Sequence, residues 1–427
     1  MELSIDQQAA SDKFMEFLLD PSKDNNEMVI SGHSGSGKST LTKHLIKAAH
    51  SKTKLLKLLT GDDNELNIFC TATTNKAAKI LSDATNTKPQ TIHNLLGLKV
   101  MQNYSNGTTS LKKTGSYQIL HNSLVIIDEA SMIDNKLLEL IQESNMNCKV
   151  LYVGDPYQLA PVFETTCPVF DKVRNQAVLK TVQRQVSVEG KPNPITLLGE
   201  RFREAVQTGL FPAIMSTGIS VEVIDSADGA VFQKQVNAAF SDTTNEAYGN
   251  ALIVAWSNNR VQQYNEYVRS LHTSSTSFEI GETVVTNKPI LNKGVTVLST
   301  DSLATITRIE RATNYGIEGF RIKLDNSYSV FLAKEQADVK RQLKKFAKNK
   351  EWVSYFNMQE TFADLRAIHA STVHKSQGST FHTVFIDLDD IGRNNKSNEV
   401  ARLLYVATTR ATTKVVFYGG LPKKYQG

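Results

Sequence analysis

Residues Gly32-His33-Ser34-Gly35-Ser36-Gly37-Lys38-Ser39 set glycines, a lysine and a hydroxyl in the spacing G-x-x-x-x-G-K-[ST]. Glycines let successive backbone N–H groups turn inward around phosphate oxygens, the lysine reaches the terminal phosphates, and the hydroxyl beside it can ligate Mg²⁺. The spacing predicts a nucleotide-phosphate site lined by Gly32, Ser34, Gly35, Ser36, Gly37, Lys38, Ser39 and Thr40. Lys38 would lie on the β- and γ-phosphates and Ser39 on the metal. Further on, the apolar run Leu124-Val125-Ile126-Ile127 ends in Asp128-Glu129. Adjacent carboxylates at a strand end are often only a solvated turn. Following a phosphate loop, they suit hydrolysis, with Asp128 holding Mg²⁺ and Glu129 polarising the attacking water. A third run ends Val153-Gly154-Asp155-Pro156-Tyr157-Gln158, where the Gln158 amide can reach the γ-phosphate or that water.

These groups need a scaffold that brings strand ends together. Short apolar runs at Met28–Ser31, Asn67–Cys70, Leu124–Ile127 and Val150–Val153 alternate with helix-period segments. Apolar throughout, they suit strands buried on both faces of a parallel sheet, whose carboxyl ends are where ligands sit. The segment Lys99–Tyr117 breaks the alternation with two β-prone arms around Ser105-Asn106-Gly107, which predicts a hairpin inserted in the α/β unit. Ala251–Ala255, Thr383–Leu388 and Lys414–Tyr418 predict a second α/β unit, and Phe278–Val330 predicts several short strands of a small β-barrel. Lys334–Phe362 is a basic amphipathic segment, which is most simply a solvated face and otherwise a contact with DNA or with the hairpin.

Composition narrows the class. The chain has 427 residues, a net charge of +5 and three scattered cysteines, Cys70, Cys148 and Cys167, with no paired spacing. A disulfide framework is excluded, and a reducing compartment fits. No apolar run is long enough to span a bilayer, and the opening MELSIDQQAASDKF is polar, so the expectation is a soluble cytoplasmic protein, in the host cytoplasm for a phage-encoded chain.

The segments VIIDEASM, VGDPYQLAP, TVHKSQGSTF and LLYVATTRA, in this order after the phosphate loop, resemble superfamily 1 helicases, and TIHNLL and HKSQG resemble their RecD-type branch. The length and single short hairpin resemble the phage members of that branch. The resemblance implies an α/β fold of two RecA-like P-loop domains with parallel sheets, an inserted β-hairpin and a small SH3-like β-barrel. It divides the chain into residues 1–180, the first RecA-like domain with the hairpin at 99–117; 181–277 and 366–427, the second; and 278–365, the barrel with its basic helical extension. It implies ATP and Mg²⁺ as cofactors, with Gln7 of LSIDQQ reading adenine (Gln8 leaves that open by one position). The guanine-reading N-K-x-D pattern has no match, which favours ATP over GTP. Arg184 of TVQRQ and Arg410 of TTRA match two arginine fingers, and Gln377 and Gly378 join the nucleotide-facing set. Thr73, Asn75, His93, Thr372 and His374 fall on the DNA track. The hairpin becomes a strand-separating wedge with Met101, Tyr104 or Leu111 at the separating contact. Implied partners are single-stranded DNA, single-strand/duplex junctions and replication proteins, for a monomer that moves 5′→3′. Thr74-Asn75-Lys76-Ala77-Ala78 departs from this and looks like the oppositely moving UvrD-type branch. The readings carried forward are an ATP-dependent DNA helicase, a translocase subunit that does not unwind alone, and a non-motor ATP switch.

Overall fold

In the computed structural model the apolar runs assemble into two parallel five-stranded sheets. The structure describes residues 3–22, 24–60, 66–85, 87–88, 90–161, 164–181, 193–241, 250–292, 295–325 and 328–426. Helix α1 (Ile5–Leu19) opens with a capping box in which the Ser4 and Gln7 side chains bond each other's backbone N–H groups. Strand β1 (Glu27–Gly32) runs into the phosphate-type loop and helix α2 (Lys38–Thr60). Strand β2 (Asn67–Ala72) and helix α3 (Asn75–Thr85) follow. Then come the hairpin strands β3 (Leu98–Gln102) and β4 (Thr109–Lys113), and strands β5 (Ser123–Asp128), β6 (Lys149–Gly154) and β7 (Gln176–Leu179).

The first sheet has the order β2-β5-β6-β1-β7, all pairs parallel. Leu124, Val125, Ile126 and Ile127 of β5 are fully buried, and burial stabilises each such side chain by about 1.5–3 kcal/mol. One face packs on Phe14, Phe17, Leu41 and Leu45, the other on Leu137, Leu138 and Ile141. This double cover is why the strands read as continuous apolar runs.

Helix α4 (Pro194–Thr208) leads to the second sheet, β8 (Val221–Ile224) and β9 (Ala251–Ala255). The chain then leaves it for β10 (Thr283–Thr286), β11 (Leu303–Asn314), β12 (Ile317–Leu324), β13 (Ser329–Ala333), helices α5 (Gln336–Lys348) and α6 (Trp352–Thr361), and β14 (Leu365–Arg366). It returns through β15 (Ala370–Thr372), β16 (Phe381–Asp387), helix α7 (Ser397–Thr408) and β17 (Ala411–Tyr418). The second sheet is parallel in the order β8-β17-β16-β9-β15, with α4 and α7 packed together on one face. The excursion forms an antiparallel sheet, β13-β12-β11-β10-β14. The strands expected of a small β-barrel form this one sheet; a single bridge joins Phe331 of the edge strand β13 to Phe362, three residues before β14, and among the described residues no strand ladder closes the sheet into a barrel. Ile290–Asn292 and Val295–Leu298 form a separate ribbon beside it.

The hairpin is wider at its tip than an Asn-Gly turn requires. Pairing stops at Gln102 with Thr109, and the Asn103 carbonyl accepts from the Gly107 N–H at 2.8 Å. The Asn103 and Asn106 side chains each take backbone N–H groups inside the loop, which stabilises the longer turn, and Gly107 supplies a positive φ of 73°. Residues beyond Lys113 lie outside the hairpin strands, and Leu111 faces the first core rather than solvent.

Candidate ATP cleft and nucleic-acid track

The phosphate-type loop joins β1 to α2 with Gly35 and Gly37 at φ of 85° and 80°, values that favour glycine. At Gly32 a Cβ would fall 2.6 Å from Ser36 Oγ and 2.9 Å from Leu179 Cβ, so the loop closes only without a side chain there. The Lys38 amine donates to the Gly32 and His33 carbonyls, each at 2.8 Å, lying across its own loop. Ser36 Oγ is buried without a partner. An orphaned hydroxyl inside a ring of inward-turned backbone suits a phosphate oxygen. Ser39 is exposed and Thr40 half-buried on the first turn of α2. Gln7 is buried and donates its amide to the Ser36 carbonyl at 3.3 Å, whereas Gln8 is exposed and bonds Asp12. Of the two glutamines, Gln7 therefore faces the loop.

Asp128 ends β5, which β6 separates from the strand that leads into the loop, and Glu129 follows in the left-handed region at φ 54°, which for a non-glycine stores strain of order 1–3 kcal/mol. Burial, with Glu129 beside it, pushes the Asp128 carboxyl up to about 6, against the pull of the Glu129 N–H and Lys38. A group of this kind suits a divalent cation that would hold it ionised. Its folded value lies above the unfolded one, so the nucleotide-free fold binds the extra proton and gains stability as pH falls through about 6. Asp128→Asn removes the buried charge. In metal-free buffer its Tm is expected to exceed that of the wild type at about pH 8, and the gap should close by about pH 4. A thermal-shift series over that range checks this; a gap that does not shrink contradicts it.

The second sheet supplies the facing wall. Arg410, 3% exposed at the end of α7, bonds the Val406 and Ser379 carbonyls and reaches Ser34 Oγ in the loop at 3.3 Å. Gln377 donates to Gln158 Oε1 at 2.7 Å, and its Nε2 also lies 3.4 Å from Ser131 Oγ and 3.5 Å from Glu129 Oε2. Its own Oε1 is buried without a partner, and Gly378 follows at φ 78°. Lys38, Asp128, Glu129, Gln158, Gln377 and Arg410 therefore border one cleft between the sheets. Arg184 lies outside the described residues.

Residues to which the sequence gave no role complete the seam. Tyr405 on α7 accepts from the Ser34 N–H at 3.0 Å and donates to Asp155 at 2.6 Å. Arg402, one turn earlier, donates to the carbonyls of Pro156 and Gln158. Arg203 on α4 stacks over Tyr157, 4.1 Å from its ring centre. Burial, with Arg203 beside it and Lys38 nearby, holds His33 down at about 4, so its imidazole is neutral. Tyr405 and Arg402 stand inside the LLYVATTRA segment and its approach; their only sequence signal was polarity within an apolar helix.

The candidate track residues lie at the carboxyl ends of the two edge strands β2 and β15. Thr73 follows β2 and donates its hydroxyl to the Glu129 carbonyl at 3.1 Å, touching the carboxylate corner of the cleft. Asn75 is exposed at the start of α3. His93 is half-buried in the turn after Thr91, which bridges Ala72, and burial lowers its pKa. Thr372 ends β15 and caps the turn that carries exposed His374. Lys375 in that turn pairs with Asp301 at 3.0 Å, tying β15 to the third sheet. On the hairpin, Met101 and Tyr104 are about half exposed and Leu111 is turned inward. Among the described residues, no helix is long and apolar enough to cross a membrane.

Comparison with known proteins agrees with this layout. A family model described as an AAA domain matches residues 19–164, and one described as a UvrD-like helicase C-terminal domain matches residues 367–418. The ATP-dependent DNA helicase Dda of Enterobacteria phage T4 is 25% identical over 441 residues, covering 92% of this chain and 94% of that protein. An uncharacterised protein of Acanthamoeba polyphaga mimivirus is 24% identical over 511 residues, covering 96% and 98%. The RecD2 DNA helicase of Deinococcus radiodurans is 29% identical over 186 residues, which are 42% of this chain and 22% of that one. Among solved structures, Pif1 helicase from Bacteroides with ADP-AlF3 and single-stranded DNA aligns with a TM-score of 0.52 at 16% identity, covering all of this chain and 94% of that one. At that identity the likeness is one of fold. Together these matches support a superfamily 1 helicase related to Dda.

Proposed function

We propose that this protein is an ATP-dependent DNA helicase that moves along single-stranded DNA, 5′→3′, and parts duplex at its hairpin. The observation that carries the reading is the reach of Arg410, from the second sheet, to Ser34 in the loop of the first, with Gln377 beside Glu129 and Gln158. Groups from both sheets border one phosphate site, so occupancy of the cleft bears on how the sheets sit together.

The nucleotide is the substrate and Mg²⁺ supplies charge neutralisation at its phosphates. Gly32 to Thr40 would cradle the phosphates and Gln7 would meet the base. Ser39 and Asp128 would hold the metal. Lys38, released from the Gly32 and His33 carbonyls, would pair with the outer phosphates. Glu129 would take the proton of the attacking water, while Gln158 and Gln377 position it. Arg410, with Arg184 as the second finger, would neutralise charge on the transferred group. Residues 1–180 act as the first RecA-like domain, 181–277 and 366–427 as the second, and 278–365 as the small sheet with its basic extension, in a monomer with junction DNA and replication proteins as partners. Thr73, Asn75, His93, Thr372 and His374 would hold the strand without reading its sequence.

The hairpin is braced for mechanical use. Tyr104 packs edge-on against Phe356 at 5.3 Å, Gln102 donates to Glu360 at 3.0 Å, and Gly107 lies so close to Trp352 that a Cβ would fall 2.3 Å from its ring. A wedge held along α6 in this way can resist the load of splitting base pairs, with Val100, Met101 and Tyr104 among its exposed apolar side chains. ATP-driven displacement of a strand from a tailed duplex tests the whole reading.

A further inference from the structure

Helix α5 turns Val339, Leu343 and Phe346 inward against Phe331, Met358 and Phe362. At about 100° per residue, the opposite face is Arg341, Lys344, Lys345 and Lys348. All four are exposed, as are the flanking Lys340 and Lys350. Residues 334–351 hold seven Lys and Arg against three Asp and Glu, in a chain whose whole net charge is +5. Arg341 pairs with Asp338 at 3.2 Å; among the described residues Lys344, Lys345 and Lys348 have no anionic partner. The helix therefore concentrates uncompensated charge on one outward strip.

The strip has a definite place. Trp352, the residue under which the hairpin tip sits, begins α6 directly after the short turn that ends α5. Lys348 and Lys350 thus stand four and two residues before the tryptophan on which the tip rests, and the basic face runs back along α5 from there. Its 13 residues span about 20 Å, the axial rise of about six phosphates along one strand of B-DNA. The candidate single-strand residues are elsewhere, at the ends of β2 and β15.

Building on the helicase reading, we propose that the outward face of α5 binds the phosphate backbone of the duplex immediately ahead of the hairpin, through Arg341, Lys344, Lys345 and Lys348. Contacts of this kind set position without sequence preference, and here they hold the duplex against the wedge.

The test compares the full chain with two triple variants, one carrying Lys344→Glu, Lys345→Glu and Lys348→Glu, the other glutamine at the same positions. The probes are a forked duplex and its single-stranded arm alone, over a salt series. The wild type is expected to bind the fork at least about tenfold more tightly than the arm, and both variants to lose most of that preference. The slope of log affinity against log salt on the fork should fall by about three in the glutamine variant. Affinity for the arm and ATP turnover stimulated by it should stay within about twofold. An unchanged fork preference in both variants makes the strip a solvated face and overturns the proposal. Equal losses on fork and arm also overturn it, placing α5 on the single-strand track. A wild type whose ATP turnover ignores DNA would fail the helicase reading instead, and the fork-to-arm ratio would still judge α5.

Discussion

Arg410→Ala should slow ATP turnover by about 10³-fold or more while leaving nucleotide affinity within about tenfold. The guanidinium is held before any nucleotide arrives: the Val406 and Ser379 carbonyls and the Thr409 hydroxyl fix its plane, and its remaining reach is toward Ser34. Such preorganised charge is worth most where negative charge develops, on the oxygens of the phosphoryl group in flight, and less in the ground state. Lysine cannot reproduce the effect, because the three anchoring contacts use the fork of the guanidinium. Single-turnover kinetics beside equilibrium binding of a nucleotide analogue separate the two quantities. A collapse in affinity with normal turnover of whatever binds would remove Arg410 from this role.

Lys38→Ala is the second large effect: hydrolysis should fall by at least about 10²–10³-fold with the fold retained. Among the described residues the amine bonds the Gly32 and His33 carbonyls and pairs with no carboxylate, so its loss breaks two hydrogen bonds and no ion pair. On the proposed reading its partners are phosphate oxygens, for which no other side chain of the loop carries charge. A melting temperature within a few degrees of the wild type, together with lost turnover, is the expected pair of results; unchanged turnover would move the site elsewhere.

Much of this was legible from residue order alone, for identifiable reasons. Strands such as Leu124–Ile127 and Val150–Val153 announce themselves because both their faces are covered, and the loop at Gly32–Ser39 because only glycine tolerates its backbone angles. The short strands Gln176–Leu179, Val221–Ile224 and Ala370–Thr372 carry little pattern of their own; each exists because a long parallel neighbour supplies its hydrogen bonds. The hairpin was visible but its tip was not, since Asn103 and Asn106 widen the turn through side-chain bonds that spacing does not reveal. Leu111 was a candidate for the separating contact, yet alternation on a two-stranded ribbon does not say which face meets the core. Tyr405 and Arg402 escaped notice because their partners lie some 250 positions away in Asp155 and Gln158. Contact of the basic segment 334–362 with the hairpin was one of the readings the sequence offered, but which residues make it (Trp352, Phe356 and Glu360) is not in the spacing.

The most direct test of the account is ATP-driven strand displacement from two duplexes, one with a 5′ single-stranded tail and one with a 3′ tail. The account predicts that the 5′-tailed duplex opens and the 3′-tailed one does not. Opening of only the 3′-tailed duplex would contradict the polarity and make Thr74–Ala78 the better guide. If neither opened while single-stranded DNA still stimulated ATP hydrolysis, the wedge would be contradicted, and the protein would be a translocase without unwinding activity of its own.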